Sequence, residues 1–257
     1  MMKMFINDKK FKIYITPFQI STTIHLYLPQ EYQQSHELYP VIYMFDGHNL
    51  FSDYDATYGK SLNMEKFLNQ YSQKMIVVGI ECNHEENRRL IEYCPYYVNH
   101  SLLGEIKGEG DQLIKWIVYE LKPYIDEHYR TDVSRDATMI AGCSMGGLMA
   151  LYAVSCYNRY FSKAACLSPS IGVGFELLKK DAQDSQMDEN TKIFMSWGSD
   201  ESRNKTGLAY ATSRYLELSY LYTNKNVKTY PYLYVHGKHN EESWGQQLQI
   251  FMDYLWN

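Results

Sequence analysis

The sequence predicts an α/β fold: a mostly parallel central sheet flanked by helices, with antiparallel strands at its N-terminal edge. Three observations carry this expectation. Two uninterrupted apolar runs, Val41-Ile42-Tyr43-Met44-Phe45 and Met75-Ile76-Val77-Val78-Gly79-Ile80, suit strands buried on both faces. Beyond residue 110, short apolar runs alternate with helical patterns, as repeated βαβ units require. A glycine-rich segment, Gly142-Cys143-Ser144-Met145-Gly146-Gly147, lies where one such run meets one such helix.

The elements follow in order. Phe11-Lys12-Ile13-Tyr14-Ile15 and Ile24-His25-Leu26-Tyr27-Leu28 alternate apolar and polar residues, which predicts two half-buried strands at the sheet edge. Pro29 and the polar residues to Glu37 form a turn or loop. The two continuous apolar runs follow as central strands. Apolar residues at 113, 114, 117, 118, 121 and 125 have helical spacing, so residues 111–128 read as an amphipathic helix. Residues 138–141 form a short strand and 148–157 a helix. Further strands are expected at 164–167, 193–197 and 229–235, with helices at about 205–222 and 243–256. The polar stretch 179–191 reads as a loop or small cap. No internal repeat or low-complexity linker divides the chain, and 257 residues suit one domain spanning 1–257.

Composition narrows the function classes. Apolar residues make up 45% of the chain, enough for a large core. The formal charge of −5, with basic residues only in short pairs such as Lys9-Lys10 and Arg88-Arg89, argues against a nucleic-acid partner. No apolar run is long enough to span a membrane. Residues 1–16 lack the apolar core and small-residue cleavage site of a secretion signal. The odd set of five cysteines has no CxxC spacing, so reduced thiols and a cytoplasmic location are expected. The 25 tyrosines match a general compositional bias that also enriches Lys and Asn.

The segment 142–147 carries the chemistry. Gly142-x-Ser144-x-Gly146 between strand and helix is the context of a nucleophile elbow. A very tight turn holds the serine in strained geometry, and its neighbours two residues away must lack bulky side chains. The helix N-terminus then lies beside the reacting oxygen. The five-residue pattern alone arises by chance in roughly one chain in ten of this length. The added Gly147 and the strand–helix setting bring that well under about one in a hundred.

A serine nucleophile needs a base, held in turn by a carboxylate. In elbow-type hydrolases the chain order is Ser, acid, His. Downstream of Ser144 the only histidines are His236 and His239, both just past a predicted late strand. His239 lies farther into the loop, whereas a strand-end His236 can serve in packing. The acid is expected at the end of the strand 193–197, where Asp200 and Glu201 are the candidates. The oxyanion needs two backbone donors. Met145 supplies one, and His48 or Asn49, in the loop after the first central strand, the other. Cys143 reads as a small buried residue under the turn.

Taken together, these residues resemble the putative-esterase family of α/β-hydrolases, over roughly residue 22 to the C-terminus. That group includes feruloyl and acetyl-xylan esterases, siderophore esterases, S-formylglutathione hydrolases and mycolyltransferases. Several stretches carry the likeness: residues 41–51 with Asp46-Gly47, Arg89-Leu90-Ile91-Glu92-Tyr93-Cys94-Pro95, the elbow, Leu167-Ser168-Pro169-Ser170, and Gly237-Lys238-His239 with Trp244 five residues on. The resemblance implies an α/β-hydrolase fold, His239 as base and the backbone of His48 as second oxyanion donor. It also implies an acid three residues after a glycine, which from Gly198 is Glu201, with Asp200 as the alternative. Secreted members of the family carry leaders, and residues 1–16 have no such features.

The expected chemistry is hydrolysis of a small-molecule or carbohydrate-linked ester through an acyl-enzyme, with no metal or organic cofactor. The histidines show no HExxH-type ligand spacing. Acyl transfer by the same triad, peptide hydrolysis and a catalytically silent binding protein are the alternatives. Specificity is expected from loops 51–60, 93–103 and 172–191, whose Tyr54, Tyr58, Tyr96 and Tyr97 suit an aryl or sugar group as well as ordinary packing. Oligomeric state is left open by the sequence.

Overall fold

The computed structural model describes residues 8–257. Residues 1–7, part of the stretch read for a secretion signal and of the expected 1–257 domain, lie outside the described residues. The chain opens with β1 (Asp8–Ile15) and β2 (Ile20–Tyr27), followed by β3 (Val41–Phe45), α1 (Met64–Gln70), β4 (Ile76–Ile80) and α2 (Arg88–Glu92). A hairpin of β5 (Tyr97–His100) and β6 (Gly104–Lys107) leads to α3 (Gly110–Trp116) and α4 (Lys122–His128). Then come β7 (Thr138–Cys143), α5 (Met145–Cys156), β8 (Lys163–Leu167), α6 (Phe175–Asp184), β9 (Lys192–Gly198) and α7 (Lys205–Thr223). The described chain closes with β10 (Lys228–Tyr234), α8 (Glu241–Gly245) and α9 (Leu248–Trp256).

Among the described residues, eight strands form one sheet in the order β1-β2-β4-β3-β7-β8-β9-β10. From β4 to β10 all pairs are parallel, while β1–β2 and β2–β4 are antiparallel. This is the sheet that the apolar runs predict. Successive side chains of a strand point to opposite faces, and here both faces are covered. Val41, Tyr43 and Phe45 of β3 join a core with Leu113, Ile125, Leu148, Leu178 and Tyr215 from α3 to α7. Ile42 and Met44 face Met64, Leu68, Leu248 and Phe251 from α1 and α9. At the edge, β10 pairs with β9 and with no other strand among the described residues, and Pro231 lies within it. An edge strand tolerates the missing N–H.

Three expected elements differ in detail and one further element is added. The helix 111–128 is interrupted by a π turn at Ile117–Leu121, where Lys122 N–H donates to the Ile117 carbonyl. Pro123 brings no amide to the ladder and its ring needs room at the preceding turn, which a wider turn provides. The stretch 179–191 is not all loop, because α6 runs to Asp184 and buries Phe175, Leu178 and Ala182. Its apolar anchors are sparse and start before residue 179, so the polar window hid the helical period. The helix 243–256 is two helices, the first capped by the Asn240 side chain, which accepts from Ser243 N–H at 3.0 Å. The β5–β6 hairpin was unexpected; its largely exposed residues carry little apolar alternation.

Candidate active site

The parallel strands all end at one rim of the sheet, where open α/β sheets place their ligands. The sharpest turn there joins β7 to α5 through Ser144 alone, at φ 56° and ψ −120°. Side-chain-bearing residues seldom adopt such a backbone. It is held by three hydrogen bonds. Ser144 N–H donates to the Leu167 carbonyl at 2.9 Å, and the Ser144 carbonyl accepts from Ser170 N–H at 3.0 Å and Leu148 N–H at 3.1 Å. The glycines supply space: a Cβ on Gly142 would lie 2.4 Å from the Gly146 carbonyl carbon, and one on Gly146 2.9 Å from Phe45 Cβ. Gly142→Ala is therefore expected to force backbone apart and cost about 1–3 kcal/mol, lowering Tm by about 2–4 °C per kcal/mol. Calorimetry of the purified variant measures this, and an unchanged Tm would mean the turn is slack.

His239 lies in the loop after β10, with its Nε2 2.9 Å from Ser144 Oγ. The loop is pinned by Lys238 N–H donating to Ser243 Oγ at 2.9 Å, and Trp244 stands edge-on to the imidazole at 5.0 Å between centroids. On the other side, His239 Nδ1 is 2.9 Å from Glu201 Oε2. The second oxygen of Glu201 accepts from Gly198 N–H at 2.7 Å and Ser168 Oγ at 2.6 Å, and Ser168 Oγ accepts in turn from Trp244 Nε1 at 2.8 Å. The carboxylate is thus held on one oxygen and presented to the imidazole by the other.

The neighbouring candidates go elsewhere. Asp200 accepts from Ser199 Oγ at 2.8 Å and faces His236, whose Nδ1 is 3.7 Å away. The His236 side chain is 87% exposed, so it does not pack at the strand end as its position suggested.

The turn after β3 brings His48 to the same rim. Asp46 is left-handed at φ 59° and is clamped by Arg89, whose Nε and Nη2 each donate to its carboxylate at 2.7 Å. The Tyr93 hydroxyl accepts from Asp46 N–H at 3.1 Å and donates to the Ile80 carbonyl at 3.3 Å. Gly47 passes so close to β4 that a Cβ would lie 2.6 Å from the Gly79 carbonyl. Asn49 N–H is taken by the Asp46 carbonyl at 2.8 Å. The amides of His48 and of Met145, at the start of a 3-10 turn and of α5, precede the first bonds of their own helices. The Asn49 side chain braces the loop instead, accepting from Thr57 N–H and donating to Glu241.

The His48 side chain is buried, with Nε2 2.9 Å from Thr57 Oγ1. Burial is the main cause that pushes its pKa down to about 4, with Asp46 opposing. An unfolded histidine titrates near 6.5, so the unfolded chain binds the extra proton between these values. The His48 contribution to stability is therefore complete above about pH 6.5 and is lost as pH falls toward about 4. Denaturant unfolding should show the wild type losing about 2–3 kcal/mol more than His48→Gln between about pH 7 and pH 4. Equal losses would show that the imidazole is not kept neutral by burial.

A cavity of about 400 Å³ opens at this rim, and its lining includes Ser144, His239, His48, Tyr58, His84 and Trp244. Its walls come from the segments after β3, β4, β7 and β10. Loops 93–103 and 172–191, expected to shape it, do not line it. Of the four tyrosines only Tyr58 does, while Tyr54 and Tyr97 are exposed and the buried Tyr96 donates to Asp181 at 2.7 Å. Ser170, whose Oγ is 3.2 Å from Ser144 Oγ, and Ser168 were not read as site residues. Their only sequence signal is the Ser-Pro-Ser following an apolar run.

A family model described as "Putative esterase" matches residues 17–252. The chain belongs to this esterase family. It is 28% identical over 186 residues to the uncharacterized protein YbbA of Bacillus subtilis strain 168, covering 71% of this chain and 70% of that one. An IroE-like serine hydrolase from Shewanella oneidensis superposes with a TM-score of 0.75 at 22% identity, covering 96% of this chain and 78% of that one. Siderophore hydrolase EstA from Aspergillus nidulans gives 0.74 at 17% identity, covering 99% and 97%. Among the described residues of this esterase-family chain, no helix is long and apolar enough to cross a membrane.

Proposed function

We propose that the protein is a serine carboxylic-ester hydrolase, a single domain acting on a small or carbohydrate-linked ester through an acyl-enzyme on Ser144. One observation carries the reading: the unbroken chain from Ser144 Oγ to His239 Nε2, and from His239 Nδ1 to Glu201 Oε2, with 2.9 Å at each step. His239 takes the serine proton as the hydroxyl attacks the ester carbonyl, and Glu201 orients and stabilises the resulting imidazolium. The amides of Met145 and His48 receive the developing oxyanion, each worth about 3 kcal/mol in the transition state. His239 then protonates the leaving alcohol, and water repeats the cycle to free the acid. No cofactor enters any step.

The cavity supports a small substrate with both polar and apolar parts, because His84 and Glu86 line it together with Leu50, Leu62 and Trp244 beside Ser144. Membership of the esterase family supports the reaction class. The test is turnover of p-nitrophenyl acetate and butyrate by the purified chain, with a fluorophosphonate probe and peptide mapping. Hydrolysis with the label on Ser144 is expected. A folded chain that neither hydrolyses these esters nor takes the probe would sink the proposal.

A further inference from the structure

His48, Cys82 and His84 are remote from any metal-ligand spacing in the sequence, yet the fold gathers them. β3 and β4 are adjacent and parallel, so the turn holding His48 and the loop holding Cys82 and His84 leave the sheet side by side. One ligand-type atom from each of the three lies within 4.8 Å of the other two. Metal–ligand bonds of about 2.0–2.3 Å in a tetrahedral set bring such atoms within about 4 Å of one another. Closing on an ion therefore takes side-chain shifts of about 1 Å, and His84, with its side chain 52% exposed, is free to make them.

We infer that His48, Cys82 and His84 form a binding site for a thiophilic transition-metal cation of the zinc type. Two observations beyond proximity point to a ligand. His48 Nδ1 is a buried nitrogen with no hydrogen-bond partner, and such orphaned atoms are rare in folded proteins. Both imidazoles also have one ring nitrogen already held by a side-chain partner, which leaves the other for a ligand. His48 Nε2 meets Thr57 Oγ1 at 2.9 Å, and His84 Nε2 meets Glu81 Oε1 at 3.0 Å. The other Glu81 oxygen is anchored by His25 Nε2 at 2.8 Å. Histidine metal ligands have this arrangement, with the second N–H given to a carboxylate or hydroxyl so that the first keeps its lone pair.

The donor set selects the ion. Two imidazoles and a thiolate favour zinc-type cations over magnesium or calcium, which take oxygen. Cys82 is a buried cysteine outside any disulfide, so its sulfur is available to an ion. The metal–sulfur bond then replaces the S–H bond and one proton leaves to solvent. All three residues line the cavity that also holds Ser144, which gives the ion its path from solvent.

The test uses Co²⁺ as a coloured zinc substitute on the metal-stripped full chain. One equivalent is expected to bind with a thiolate-to-cobalt charge-transfer band, and Zn²⁺ should displace it. Cys82→Ser should remove the band. His84→Ala, an exposed change that spares the fold, should weaken Zn²⁺ binding by more than the roughly 10–100-fold typical of losing an outer-shell partner. Cys156→Ser, removing the exposed thiol, should leave the band intact. The assignment is overturned by the absence of a saturable band, by a band that survives Cys82→Ser or is lost in Cys156→Ser, or by Zn²⁺ binding unchanged in His84→Ala. None of these readouts depends on ester turnover.

Discussion

Ser144→Ala is expected to lower kcat on p-nitrophenyl butyrate by about 10⁶-fold, and His239→Ala by a similar factor. The double variant should lose little more than either single one, because nucleophile and base act as a unit and residual rate comes from the oxyanion donors and binding. The substitution leaves the turn itself in place, since alanine meets the same φ of 56° as serine and the backbone bonds to Leu167, Ser170 and Leu148 remain. Tm should therefore stay close to that of the wild type. Ser170 is the control, its hydroxyl lying 3.2 Å from that of Ser144. Ser170→Ala should retain activity within about tenfold, because it keeps the Ser144–His239 pair. Full loss in Ser170→Ala with survival of Ser144→Ala would move the nucleophile to residue 170.

The second large effect separates two adjacent carboxylates. Glu201→Gln is expected to reduce kcat by about 10⁴-fold, while Asp200→Asn should change it by less than about threefold. The Glu201 side chain is 16% exposed and accepts from Gly198, Ser168 and His239. A glutamine there keeps the shape but cannot offer a carboxylate to the imidazolium, and its amide favours the wrong tautomer of His239. The Asp200 side chain is 44% exposed, and its 3.7 Å approach to the exposed His236 is too long for a hydrogen bond. A steady-state comparison of the two variants decides the matter. A larger loss in Asp200→Asn would exchange their roles.

The elbow was the most legible part of the candidate site. Its requirements are local: a strand, one residue in a strained conformation, a helix, and glycines where a Cβ would strike backbone. All of these are properties of consecutive residues. The central strands were legible for a similar reason, because a strand buried on both faces must be apolar without interruption. Elements with weak or divided patterns were not. The π turn before Pro123 looks like plain helical spacing, and α6 buries only every third or fourth residue of a polar segment.

Which carboxylate meets which imidazole was beyond the residues alone, since Asp200 and Glu201, like His236 and His239, differ by small displacements along a loop. What separates them is which way each loop turns. Gly198 N–H and Ser168 draw Glu201 inward, while His236 N–H on Ser199 Oγ, at 2.8 Å, holds the Asp200 side of the loop outward. The grouping of His48, Cys82 and His84 was less legible still. It depends on β3 and β4 being neighbours, and a strand's neighbour is a long-range choice that no spacing records. The sequence by itself determined the fold class and the tight turn from strand through Ser144 to helix, because hydrophobic period and turn sterics act within a few residues. Only the tertiary structure decided which carboxylate meets His239, which loops line the cavity and which side chains share a wall, because these follow from strand order and loop packing across the whole sheet.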